Sequence, residues 1–341
     1  MTTNVLNTLY VTTDDARVHL EGETLRVVID NEKKAQVPMH HLASLVVMAR
    51  VFVTPEAMAA CADAGISVVF LTGTGRFQAR VEGNLSRASM LRREQYRAAD
   101  DPTRTLSLAR ACVAGKIANT RTFLLKARRT RAEEAGSRRF DDACARLLEL
   151  GRHVLQAEQM DQLRGMEGEA ASHYFDLFDA IIDREEMRFE KRTRRPPLNP
   201  VNALLSFGYS LLAADCQSAL QSANLDPSVG YLHVERPGRP ALALDLMEEL
   251  RTPIVDRMVV SILRLGQFKP DDFESLPTGE WRMKDAARKK FLIEYQQRKR
   301  DEVTHPLAAN PIPWGMVPLL QARLMARAIR EETEYIPFLL K

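Results

Sequence analysis

The chain has 341 residues, of which 45% are hydrophobic and 27% charged, with a formal net charge of +3. That length and apolar content fit one large globular domain or two ordinary ones and exclude a low-complexity chain. The mildly basic balance does not by itself announce a nucleic-acid binder. Cys61, Cys112, Cys144 and Cys216 form no CxxC pair, which argues against a cysteine-built zinc site and for reduced, buried thiols. The start MTTNVLNTLYV has neither a basic opening nor a long apolar core, and no apolar run approaches the roughly 20 residues of a membrane span. A soluble, cytoplasmic protein is expected.

Residues 1–90 read as strands. NTLYVTT, ARVHLEG, TLRVVID and AQVPMH are short and separated by turn residues, the spacing of hairpins in an antiparallel sheet. LASLVVM, ISVVFLT and FQARVEG add further strands. One helix interrupts them at VTPEAMAACADAG, with Thr54 as N-cap, Pro55 in the first turn and Gly65 as the stop. AADDPTR, from Ala98 to Arg104, reads as a linker. Beyond it the period becomes helical. LARACVAGKIANTRTFLLKARR, FDDACARLLELGRHVLQAEQMDQL, NALLSFGYSLLAADCQSALQSA and AARKKFLIEYQQRKRD carry apolar residues three and four apart. The expected class is α+β: a small antiparallel β domain with one helix over residues 1–90, a linker over 91–104, and a larger all-α domain over 105–341.

Charge is unevenly distributed. Between residues 103 and 132 there are eight Arg or Lys and no acid. This run reads either as a phosphate-tracking surface or as solvated helix faces. Arg110, Lys116, Arg121, Arg128, Arg164, Arg251 and Lys289 are the candidate DNA contacts.

One stretch, VGYLHVERPGRPALALDLMEELRTPIVDR, places His233 at the end of an apolar run, ahead of a Pro/Gly turn and an acid-bearing helix. Asp245 and Glu248 stand three apart and share a helix face, which Arg251 extends. Leu246, Leu250, Ile254 and Met258 form the adjacent apolar stripe, and Pro253 should bend or restart the helix. Upstream, Glu167 lies between Gly165 and Gly168 in LRGMEGEAASHYF, where the glycines would let the backbone turn tightly before a helix carrying Tyr174 and Phe175. Two readings stand at this point. His233 and the acids bind a divalent ion, or the histidine is a structural hydrogen-bonder and the acids are solvated or matched to a helix dipole.

LRGMEGEAASHYF, NPVNALLSFGYSLL (199–212) and GYLHVERPGRPALALDLMEELRTPIVDR occur in that order. Together they resemble the CRISPR-associated integrase family of spacer acquisition, CRISPR-associated protein one, with a pattern similar to its type I-C branch. The likeness runs on through WRMKDAARKKFLIEYQQR to the closing YIPF, and includes the β-rich start. The resemblance implies one divalent metal, Mg2+ or Mn2+, held by Glu167 of the R-G-x-E-G motif, His233 of the G-x-x-H run and Glu248 of the D-L-x-E motif. Asp245 would be a supporting carboxylate, bonding a metal-bound water. Glu249 and Asp256 fall back to the structural background. It also implies insertion of captured DNA into a CRISPR array by transesterification, and cleavage of branched or linear DNA. The implied partners are DNA, a second copy joined through the β domains, and a small ferredoxin-like adaptation partner in a heterohexamer. The competing reading is a catalytically silent DNA-binding subunit of a nucleoprotein complex.

Overall fold

The computed structural model describes residues 7–72, 77–81, 83, 89–129, 134–306, 308 and 310–340. Its first part holds β1 (Asn7–Val11), β2 (Arg17–Glu21), β3 (Thr24–Ile29), β4 (Glu32–Pro38), β5 (Leu42–Val47), β6 (Phe52–Val53), α1 (Pro55–Asp63), β7 (Ser67–Leu71) and β8 (Phe77–Val81). Helices follow: α2 (Ser89–Asp100), α3 (Pro102–Arg129), α4 (Glu134–Val154), α5 (Met160–Phe175), α6 (Phe178–Ile182), α7 (Pro200–Ser222), α8 (Ala241–Glu248) and α9 (Arg257–Arg264). A short hairpin of β9 (Phe273–Ser275) and β10 (Trp281–Met283), α10 (Asp285–Arg300), a second pair of β11 (Glu302–Val303) and β12 (Ile312–Pro313), and α11 (Val317–Ile329) complete the chain.

The α+β division matches the sequence reading, but the pairing is mixed rather than antiparallel. The β2–β3–β4 meander is antiparallel, as its short turns predict. β1 pairs β5 in parallel, β5 pairs β7 in parallel, and β2 pairs β6 in parallel. The two sheets run β1-β5-β7-β8 and β4-β3-β2-β6. The cue for the parallel strands lies in composition: LASLVV and SVVFL are near-continuous apolar runs, the mark of strands buried on both faces. Alternate residues of these strands enter different cores. Leu45, Val47 and Val68 join the β-region core, whereas Val46, Met48, Val69 and Leu71 join the helical core. The first sheet is thus the wall shared by both halves.

Local signals account for several helix ends. The Thr54 hydroxyl accepts the Ala57 amide at 3.2 Å, and Gly65 closes α1 with a φ of +71°. The expected linker over 91–104 is instead most of α2 and the first turn of α3. Asp101 alone separates them, its carboxylate accepting the Thr103 and Arg104 amides at 2.8 and 3.2 Å, with Pro102 next in line. The single helical segment expected over residues 140–163 is two helices, α4 and α5, broken at 155–159 without a Gly or Pro to mark it. The larger region is not purely helical either, since it includes the two small β pairs. Pro253 interrupts its helix as predicted: Arg251–Asp256 is a π-helical segment between α8 and α9. The four cysteines are free and buried. Among the described residues no helix is long and apolar enough to cross a membrane.

Candidate active site

Three helices and one loop converge beside the helical core. Lys116 comes from α3, Glu167 from α5, His233 from the loop between α7 and α8, and Asp245 and Glu248 from α8.

A single carboxylate folds the loop onto α8. Asp245 is fully buried. Its Oδ2 accepts the amides of Tyr231 and Leu232 at 2.6 and 3.0 Å, and its Oδ1 accepts the His233 amide at 3.0 Å and stands 2.7 Å from His233 Nδ1. A carboxylate only accepts, so Nδ1 carries a proton, and in the neutral ring the lone pair falls to Nε2. Gly230 permits this approach: a Cβ there would lie 2.9 Å from Asp245 Oδ2 and 2.7 Å from the Ala241 Cβ. The expectation that Asp245 bonds a metal-bound water is therefore corrected. Both oxygens already accept two donors, and no surface of the residue is left for water. Its support reaches the site through His233.

Glu248 ends α8 with its side chain 3% exposed. Oε1 lies 2.8 Å from Arg251 Nη2 and 3.7 Å from His233 Nε2. Oε2 lies 2.7 Å from Lys116 Nζ. Burial pushes this carboxyl up, but Arg251, Lys116 and His233 outweigh it and hold it down at about 2. Glu167 reaches the same ammonium from α5. It sits in mid-helix, not at the helix start that its flanking glycines predicted. Gly165 and Gly168 are exposed and helical, and a Cβ at either would meet nothing within 4 Å. They leave the helix face beside Glu167 bare rather than turning the chain.

Among the described residues, no three His, Cys, Asp or Glu side chains stand closely enough around one point to hold a metal ion as they lie. The reason is visible at the centre, where the Lys116 ammonium stands between Glu167 and Glu248. The donor set nonetheless fits a divalent cation: two carboxylates that converge on one monovalent cation, and an imidazole nitrogen oriented by a carboxylate.

Arg251, a candidate DNA contact, is Glu248's ion-pair partner and stacks over Tyr209 with its guanidinium carbon 5.1 Å from the ring centre. Behind it, Asp256 accepts the hydroxyls of Tyr209, Tyr174 and Thr252 at 2.6, 3.0 and 3.1 Å. Glu249 points the other way into the core, accepting from Gln321 at 2.7 Å and Tyr335 at 2.9 Å. Burial pushes its carboxyl up to about 8, against the pull of those two bonds.

Much of the basic run serves the fold. Arg110 donates to the Ala157 carbonyl and Arg121 to that of Cys144, while Arg128 pairs with Asp141. Arg164 donates to the Leu232 carbonyl at 2.9 Å, bracing the loop that carries His233. Lys289 lies exposed on α10. Arg131 lies outside the described residues. Sequence reasoning assigned Lys116 to DNA and missed its place among the acids. Nothing within its own helix marks it, because both partners come from elements more than 50 positions away.

The family model described as CRISPR associated protein Cas1 matches residues 9–297. The CRISPR-associated endonuclease Cas1 2 of Rhodospirillum rubrum is 44% identical over 339 residues, covering 98% of each chain. The CRISPR-associated endonuclease Cas1 1 of Moorella thermoacetica is 43% identical over 339 residues, again covering 98% of each. Among solved structures, a CAS1 protein from Thermotoga maritima shares the fold with a TM-score of 0.79 at 22% identity, covering 96% of this chain and 99% of that one. A chain of a Cas6-RT-Cas1–Cas2 complex superposes with a TM-score of 0.81 at 25% identity, covering 98% of this chain and 36% of that one.

Proposed function

This chain belongs to the Cas1 family of CRISPR-associated endonucleases, the enzymes of spacer integration, and we propose that Glu167, His233 and Glu248 form its reaction centre. The observation that carries this reading is the Glu248 carboxylate. It is buried, ionised, and faced by an ammonium, a guanidinium and an imidazole nitrogen. A carboxylate is costly to keep ionised at such depth, and the site is built to hold positive charge beside it.

Glu167, His233 and Glu248 would hold one divalent ion, Mg2+ or Mn2+. Bound there, the ion would lower the pKa of an attacking hydroxyl and neutralise charge on the phosphate. In the reaction we assign, the 3′-hydroxyl of a captured DNA fragment attacks a phosphodiester at a repeat border. One P–O bond forms as another breaks. With water as nucleophile the same arrangement hydrolyses branched or linear DNA. The chain's own groups do the positioning. Asp245 holds the His233 ring in one tautomer and one orientation. Arg251 and Lys116 keep Glu248 ionised and bring positive charge to where the phosphate must sit. Gly165 and Gly168 leave the α5 surface bare enough for a DNA backbone to approach Glu167.

The division we propose is a β-rich unit over 1–90 and a helical unit over 105–341, joined by the helical stretch 91–104, with residues 1–90 joining two copies; β4, an edge strand, is available for such pairing. Likeness to a chain of a Cas6-RT-Cas1–Cas2 complex supports a partner of the Cas2 kind; a small ferredoxin-like fold for it and a heterohexamer are what the family resemblance implies. The motif pattern supports the type I-C branch.

The test is strand cleavage and joining on branched DNA with Mn2+. EDTA should abolish both, and Glu167→Gln, His233→Ala and Glu248→Gln should each lower the rate by about 100-fold or more. Activity that survives EDTA, or is unchanged in these variants, places the centre elsewhere. A silent DNA-organising subunit would bind the substrate without turnover under any ion.

A further inference from the structure

Building on the metal reading above, we infer that Lys116 is the resident counter-cation of the Glu167–Glu248 pair, occupying the point a divalent ion must take and thereby weakening that ion's binding. The side chain of Lys116 is 12% exposed, its ammonium touches Oε1 of Glu167, and it lies 2.7 Å from Oε2 of Glu248. The two carboxylates arrive from different helices and share this one cation. Two carboxylates gathered around one point repel each other unless a positive charge stands between them. Lys116 supplies it while no divalent ion does.

The backbone of Lys116 is not free to withdraw. At Gly115 an added Cβ would meet Pro337 at 2.6 Å and Glu249 at 3.1 Å, so α3 is pressed against both the C-terminal segment and the end of α8. One turn on, Asn119 donates to the carbonyls of Glu249 and Phe338 at 2.7 and 2.8 Å and accepts the Leu340 amide at 2.7 Å. Only the four-carbon stem can move. A lysine suits this role, because its charge is compact and its stem flexible, whereas a guanidinium fork would hold its carboxylates more rigidly. An arriving ion must turn the ammonium aside, and the displaced charge remains tethered nearby. Both effects oppose metal binding, and two unit charges about 4 Å apart at an effective dielectric near 20 interact by well over a tenfold factor in affinity.

The experiment is Mn2+ binding to the full-length protein at pH 8, followed by electron paramagnetic resonance, with folding checked by thermal melting. Lys116→Met should bind Mn2+ at least about tenfold more tightly than the wild type, while Lys116→Arg, which keeps the charge, should show no gain. A purely structural lysine predicts the opposite sign, and unchanged or weaker binding in a folded Lys116→Met protein would overturn the inference. Glu248→Gln separates the two levels. If it binds Mn2+ like the wild type, the metal reading itself fails; if it binds weakly and Lys116→Met shows no gain, only the role of Lys116 fails. Should Lys116→Met not fold, the wild type still decides: amine acylation mapped by mass spectrometry should become faster at Lys116 when Mn2+ is added. A rate that is unchanged or slower counts against the displacement.

Discussion

Asp245 shows how much one side chain can determine. It has no exposed surface and holds three consecutive amides and the His233 ring. In Asp245→Asn one oxygen becomes an NH2 group, a donor set against donors. Either the Tyr231 and Leu232 amides lose their acceptor, or His233 loses the partner that fixes its tautomer. Mn2+ affinity measured by calorimetry should fall by about 10–100-fold. An affinity within a factor of about two of the wild type would mean that His233 is oriented by something else. From sequence, Asp245 was legible as a carboxylate near the site, and Glu167, His233 and Glu248 as candidate ligands through their motifs. The four bonds that occupy Asp245 were not, because three of them go to backbone amides, which look alike in any sequence.

At the scale of the element, the turn from α8 into the π-helical segment separates two adjacent carboxylates. Glu248 faces the cationic site and is held down at about 2, whereas Glu249 faces the core and is pushed up to about 8. Their contributions to stability run in opposite directions. Glu248 stabilises the fold above the ordinary carboxyl range, and that contribution is lost as pH falls toward about 2. Glu249 is protonated in the fold and ionised in the unfolded chain. Its contribution is present in full below the ordinary carboxyl value and is lost as pH rises to about 8. In metal-free protein the melting temperature of the wild type should therefore fall between about pH 5 and pH 8, and Glu249→Gln should flatten that fall. Parallel curves for the two proteins would show that Glu249 is ionised in the fold. Neighbouring acids in one motif look equivalent in sequence, and burial on opposite sides of one helix end distinguishes them. Strand and helix positions were largely legible because the periods of two and 3.6 differ. Pairing direction in the first sheet was marked only by the unbroken apolar runs LASLVV and SVVFL, which signal burial on both faces without fixing which strands pair.

Across the whole molecule, the first sheet is packed on both faces, and the apolar face of the long basic helix α3 is bound into the helical core, with Arg110 and Arg121 tied to carbonyls of neighbouring elements. This changes which cations should govern DNA affinity. Arg110→Ala removes a bond to the Ala157 carbonyl. It should lower the melting temperature while leaving the dependence of DNA affinity on salt unchanged. Lys289→Ala should lower that slope by about 1 if the exposed face of α10 follows the phosphate backbone. An equal loss of slope in both variants would return α3 to the DNA surface. The sequence alone determined the two-part organisation, the kind of most of the longer elements and the three motifs, because these depend on residues close together in the chain. Only the tertiary structure decided that Lys116 stands between Glu167 and Glu248, that Asp245 is occupied by its own loop, and that Arg110, Arg121 and Arg128 of the basic run are bonded to neighbouring elements. Those outcomes depend on contacts between elements dozens to hundreds of positions apart. The physical reason is that a charge's role is set by what surrounds it, and burial and partners exist only once the chain has folded.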